Sequence, residues 1–203
     1  VVIGSFRVDE SEAQVAAAEL PAALPDAPFI LFVGALRRVK GVAVLFDAYR
    51  RLAAPPPLVL IGTIERDTPE DVPDGAVIVP EMPHASVLAA WDRSLFGVMP
   101  SLWPEPFGSV VHEAMSRGRP VIGTTPGGHE DMIGDGETGF LVPPGDVDAL
   151  AHAMRRLIDD PDLRTAMGER ARVRGGAFVA SDAIPRFEGL YRDAIAAVSG
   201  DRR

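Results

Sequence analysis

Short unbroken apolar runs alternate along this chain with stretches whose apolar residues recur every three or four positions. The runs Phe29–Val33, Leu58–Ile61 and Ala76–Val79 contain no polar residue. That is the pattern of strands covered on both faces. Runs at 95–99, 120–122 and 138–142 predict three more strands. Between the runs, residues 41–52 show helical spacing, with Val42, Leu45, Phe46 and Tyr49 on one face. Prolines 55–57 stop that helix. Shorter helices are predicted at 84–93 and 108–117, with a single turn at 128–133 and longer helices at 146–159, 161–174 and 182–198. An Ala-rich stretch after Asp9, Glu10, Ser11 and Glu12 predicts one more helix, ending at Pro21 or Pro25.

Strands that alternate with helices imply a mostly parallel sheet with helices on both sides. The expectation is an α/β chain: one Rossmann-like, doubly wound domain of about six strands with a helical C-terminal tail. No Gly/Ser-rich or charge-rich linker divides it, and no segment repeats. Such sheets bind ligands beyond the carboxyl ends of their strands. That directs attention to the loops 34–41, 62–75, 80–83, 100–108 and 123–128.

Composition narrows the function. The chain has 203 residues, 47% hydrophobic and 24% charged, with a net charge of -9. A general nucleic-acid binder needs a basic face, so that class is not expected. Without cysteine there is no thiolate metal site and no disulfide framework, which fits a cytoplasmic protein. No apolar run is long enough to span a membrane, and no signal peptide is evident. The sequence starts Val-Val-Ile without methionine, so a fragment is expected. Of its 20 basic residues, Lys40 is the only lysine.

Lys40 lies in the first of three suggestive loops. Arg37, Arg38 and Lys40 follow the first strand between Gly34 and Gly41. Three cations at a sheet's carboxyl edge suit a diphosphate, although a solvated basic loop has the same composition. In the second loop, Pro104 and Pro106 stiffen the chain around Glu105. The helix start at Gly108, Ser109 and Val110 would offer free N–H groups to an anion. Glu113, eight positions after Glu105, can accept from both hydroxyls of a vicinal diol such as a ribose. A helix N-terminal charge for Glu105 and a surface residue for Glu113 are the plainer readings, although Val110, Val111, Ala114 and Met115 place Glu113 near the edge of the buried face. In the third loop, Gly127 and Gly128 would let backbone approach a ligand, or simply turn from strand to helix.

Other signals are explained more simply. Asp146-Val147-Asp148 matches a short metal-binding pattern of sugar transferases, but it follows Gly145 and opens a helix, as a cap would. Histidines 84, 112, 129 and 152 have no metal-ligand spacing. The dinucleotide fingerprint and the Walker phosphate loop are absent.

The ordered set Phe32-Val33-Gly34, Leu36, Lys40-Gly41, Pro100-Ser101, Glu105-Pro106-Phe107-Gly108, Glu113, Pro120-Val121-Ile122, Gly127-Gly128 and 138–146 resembles the C-terminal domain of family 4 (group 1) glycosyltransferases of GT-B architecture. It covers residues 29–198. The resemblance implies a donor-binding half of a retaining, metal-independent transferase that needs no cofactor and takes a nucleoside-diphosphate sugar. By that similarity Lys40 holds the diphosphate and Glu105 the sugar, with backbone around Phe107 and Gly108. Ser109 and Val110 amides meet the phosphates, Glu113 binds the ribose, and the loop from Val79 to Met82 lies against the base. Family members usually carry arginine where this chain has Ala35. Arg37 or Arg38 would have to substitute. The resemblance also implies that residues 1–28 are the interdomain region, 29–180 the nucleotide-sugar domain and 181–203 the crossover helix and tail. The acceptor-binding N-terminal domain is then the main partner, and any peripheral membrane contact would fall to it. A nucleotide-binding or interaction module without transfer activity, and a GT-B-like epimerase or phosphorylase, share these features.

Overall fold

The structure is a computed structural model and describes residues 12–178 and 180–200. Six strands form one parallel sheet: β1 (Phe29–Val33), β2 (Leu58–Ile61), β3 (Ala76–Val79), β4 (Ser94–Met99), β5 (Val121–Thr124) and β6 (Gly139–Val142). Their order across the sheet is β3-β2-β1-β4-β5-β6. Strand order therefore reverses between β1 and β4, and the loops leaving those two strands part around a crevice.

Helices cover both faces. On one face α2 (Val42–Arg50) and α6 (Val147–Asp159) bury Leu45, Phe46, Leu150 and Met154 against Ile30, Leu60 and Ile122. On the other, α3 (His84–Arg93) and α4 (Ser109–Ser116) bury Trp91, Val111 and Met115 against Leu31, Val59 and Val121. Successive strand residues point to opposite faces, so Ile30 and Leu31 serve different layers. This is why the strands read as unbroken apolar runs. At about 25 cal/mol per Å², each such side chain contributes about 1.5–3 kcal/mol on burial.

The predicted elements are present, with shifted ends. The first helix, α1 (Glu12–Ala16), has only five residues. Val15 within it and Leu24 beyond it are buried with α3, and the Ser86 hydroxyl donates to the Glu19 carbonyl at 2.9 Å. Residues 1–11 of the expected interdomain region and 201–203 of the expected tail lie outside the described residues. The four-residue α5 (His129–Met132) precedes α6, and the longer α7 (Pro161–Gly175) follows it. The last helix, α8 (Ala180–Gly200), carries Pro185 inside it. Asp146 caps α6 by accepting from the Ala149 N–H at 2.9 Å, and Asp148 pairs with Arg51. Among the described residues no helix is long and apolar enough to cross a membrane.

Candidate functional site

Two adjoining cavities fill the crevice at the carboxyl ends of β1 and β4. The first, about 230 Å³, is lined by Lys40, Ser101, Glu105, Ser109 and His129 among others. The second, about 390 Å³, is lined by Thr63, Glu81, Met82, His84 and Glu113 among others. Val33, Gly34, Ala35 and Val110 border both. Joined, they fall within the ~300–1,000 Å³ typical of small-molecule sites.

Lys40 ends a 3-10 turn, Arg38–Lys40, that follows β1. Its Nζ donates to Glu105 Oε1 at 2.6 Å and lies 5.5 Å from the Trp103 ring centroid. The same carboxylate oxygen accepts from Ser101 Oγ at 2.6 Å and from Trp103 Nε1 at 2.9 Å. Burial pushes the Glu105 carboxyl up, but the three donors and the Lys40 charge outweigh it and hold it below the usual range. Glu105 is therefore a fixed anion with one oxygen fully committed.

Three contacts hold these loops in register. The Leu102 N–H donates to the Val39 carbonyl at 2.8 Å. Thr124 Oγ1 donates to the Ser101 carbonyl at 2.9 Å. The Gly128 N–H donates to the Glu105 carbonyl at 2.6 Å. The Gly127-Gly128 turn thus brings its backbone against the Glu105 loop. A Cβ on Gly128 would stand 2.6 Å from the Pro106 carbonyl oxygen, so the close approach is to the Glu105 loop itself. Glu130 closes this turn by accepting from the Thr125 hydroxyl and the Gly127 N–H.

Helix α4 starts at Gly108, whose φ is 91°. The N–H groups of Val111 and His112 return to the Gly108 carbonyl. Those of Ser109 and Val110 have no backbone acceptor among the described residues. Ser109 lines the first cavity and Val110 borders both, so the two amides stand there as the open end of a helix dipole. One turn and a half into α4, Glu113 is 4% exposed yet lines the second cavity. His84 Nε2, from the first residue of α3, stands 3.3 Å from Glu113 Oε1.

The remaining expected residues divide. Met82 lines the second cavity, whereas Val79, at the end of β3, is buried and lines neither. Phe107 packs edge-on against Phe178 with centroids 6.1 Å apart. Arg37 and Arg38 line neither cavity. The 3-10 turn sends the Arg37 guanidinium to Asp67 at 3.4 Å, and the same carboxylate takes the Arg38 N–H at 3.2 Å. Among the described residues lining the two cavities, Lys40 is the only lysine or arginine. Sequence reasoning gave no role to Ser101, Trp103, Thr63, Glu81, His84 or His129. Ser101 and Trp103 lay inside the Pro-rich segment, and loop 80–83 contains Glu81. The two histidines lack metal-ligand spacing, and spacing alone gives them no other role.

The chain is similar in sequence and fold to known proteins. The sequence profile described as "Glycosyl transferases group 1" matches residues 21–174. Alpha-D-kanosaminyltransferase of Streptomyces kanamyceticus is 30% identical over 93% of this chain and 51% of its own length. The structure of a sucrose-phosphate synthase from Thermosynechococcus elongatus superposes with a TM-score of 0.75 at 31% identity, covering 95% of this chain and 50% of that one. Anabaena HepE, solved in complex with UDP-glucose, shares the fold at a TM-score of 0.73 and 21% identity, over 82% of this chain and 49% of its own. The chain thus spans about half the length of the relatives it matches. With the ordered motifs gathered at one crevice and the profile covering most of the sequence, the chain belongs to the group 1 glycosyltransferases of GT-B fold.

Proposed function

We propose that this chain is the donor-binding half of a retaining, metal-independent glycosyltransferase that uses a nucleoside-diphosphate sugar, with an acceptor-binding half completing the active site. The observation that carries this is the sequence of groups along the crevice. Glu113 stands in one cavity, the free Val110 amide at the border, and the free Ser109 amide with Lys40 and Glu105 in the other. A diol-binding carboxylate, an anion-binding helix end, a cation and a sugar-facing carboxylate match ribose, diphosphate and sugar in that order. The proposed leaving group is stabilised by Lys40 and the amides, work that a divalent cation does elsewhere. HepE, a member of the same fold, was solved with UDP-glucose, which supports the donor class.

The domain division follows the same reading. Helix α8 leaves Ile184, Tyr191 and Ile195 exposed, at spacings of seven and four that share one face. We assign that face to the acceptor-binding half.

Calorimetry with UDP, GDP and ADP, in the presence of a chelator, tests the donor site. One of the three is expected to bind. Glu113→Ala is expected to weaken that nucleotide by about 1–3 kcal/mol through lost hydrogen bonds to the diol. If none binds, or if Glu113→Ala binds as before, the site is misassigned.

Glu105→Gln tests the cation. In the unliganded chain Lys40 is engaged by Glu105 at 2.6 Å, and an incoming phosphate competes with that carboxylate. Neutralising Glu105 is expected to tighten the free nucleoside diphosphate by about three- to tenfold, as a partly exposed pair is released. The same titration showing weaker binding would place the phosphate away from Lys40.

A further inference from the structure

His129 opens α5 and is 2% exposed. It lines the cavity that holds Lys40 and Glu105, yet the proposed function assigns it nothing. The Thr124 N–H points at its Nδ1 at 3.2 Å. A backbone N–H can only donate, so Nδ1 carries a lone pair and the ring proton sits on Nε2. That proton faces the start of α4: a Cβ built on Gly108 would lie 2.9 Å from Cδ2 and 3.2 Å from Nε2. Among the described residues the bond from Thr124 is the ring's only hydrogen bond, and Nε2 is left toward the cavity.

Burial pushes the ring's pKa down and the Lys40 charge adds to that, while Glu105 opposes it. Protonating Nδ1 would also turn the Thr124 contact into a clash of two donors. The ring is therefore a neutral donor and cannot act as a base toward the cavity. It adds a directed N–H without adding a charge, next to a cation and two free amides.

We infer that His129 is a donor-site residue whose Nε2–H donates to the distal phosphate of the bound nucleoside diphosphate. This rests on the donor-binding reading above. The distal phosphate is the acceptor because Nε2 faces the open end of α4 within the Lys40 cavity, on the far side of Val110 from Glu113.

Two variants separate binding from packing. In His129→Asn the amide oxygen falls near Nδ1 and keeps the Thr124 contact, but nothing occupies the Nε2 position. In His129→Gln the longer amide reaches the Nε2 position with a donor. Calorimetry with the nucleoside diphosphate and the monophosphate of the same base provides the readout. His129→Asn is expected to weaken the diphosphate about tenfold and leave the monophosphate unchanged, the scale of one hydrogen bond. His129→Gln is expected to recover most of the loss. Unchanged diphosphate binding in His129→Asn, or equal weakening of both nucleotides, overturns the inference and leaves His129 as a packing residue. If the unaltered chain binds neither nucleotide, the donor-site reading itself fails and takes this inference with it. If it binds normally and only the His129 outcome fails, the donor site stands.

Discussion

Gly41→Ala is expected to cost the fold about 3 kcal/mol or more and to lower Tm by roughly 6–12 °C, on the scaling of ~2–4 °C per kcal/mol for a chain of this size. Gly41 has φ 77° and ψ 18°, left-handed values that cost an ordinary residue about 1–2 kcal/mol. The larger part is contact. An added Cβ would stand 1.8 Å from the Pro100 carbonyl oxygen and 2.6 Å from its carbon. Neither side yields easily. Pro100 follows β4 directly, and the Gly41 carbonyl accepts the Leu45 N–H at 2.9 Å as α2 begins. Gly136→Ala serves as the control, since Gly136 has a similar φ of 73° and nothing within 4 Å of its Cβ position. It is expected to show the dihedral cost alone. Urea melts of the two variants give the difference. If Gly41→Ala proves no less stable than Gly136→Ala, the Gly41–Pro100 contact is not a constraint. The contact matters for function because it sets the distance between the β1 and β4 loops, and so between Lys40 and Glu105. Any folded Gly41→Ala should also bind nucleotide poorly.

Sequence pattern revealed the layers of this fold better than their arrangement. Phe29–Val33 and Leu58–Ile61 announce buried strands because both faces lose water, and that needs only local periodicity. The order β3-β2-β1-β4-β5-β6 is non-local, and alternation of strands and helices alone does not give it. Lys40, Glu105 and Glu113 stand out in the sequence by residue type at a loop or helix end, and all three line the crevice cavities. The direction of Arg37 does not show in the sequence. It depends on a 3-10 turn and on Asp67, 30 residues away. The environment of Glu105 was hidden for the same reason: Lys40 is 65 residues distant, although Ser101 and Trp103 sat within four. His129 illustrates a third limit. Its role depends on which ring nitrogen carries the proton, and the Thr124 backbone decides that.

In an enzyme that joins this half to an acceptor-binding half, Lys40→Ala is expected to lower kcat by about 10²–10³, the range for losing one preorganised donor to a developing oxyanion. Negative charge builds on the leaving diphosphate as the bond to the sugar breaks. Of the described residues lining the cavities, only Lys40 is a lysine or arginine that can meet it. The Ser109 and Val110 amides remain in the variant, so activity should fall without vanishing. Nucleotide affinity should fall less than kcat, because the ground state carries less charge at that oxygen than the transition state does. Lys40→Arg is not expected to restore the rate. The ammonium fits between Glu105 and the Trp103 ring as a compact point charge, and a planar fork would need different partners. Loss of the loop is the competing explanation, since Lys40 is one of three donors to Glu105. Ser101 and Trp103 keep that carboxylate bound in the variant, and equal Tm values for Lys40→Ala and the unaltered chain would exclude it. Steady-state rates, with the product's anomeric configuration read by NMR, check the proposed retaining course in the same assay. A kcat within about threefold of the unaltered enzyme would mean that the amides alone carry the leaving group and that Lys40 serves chiefly to fix Glu105.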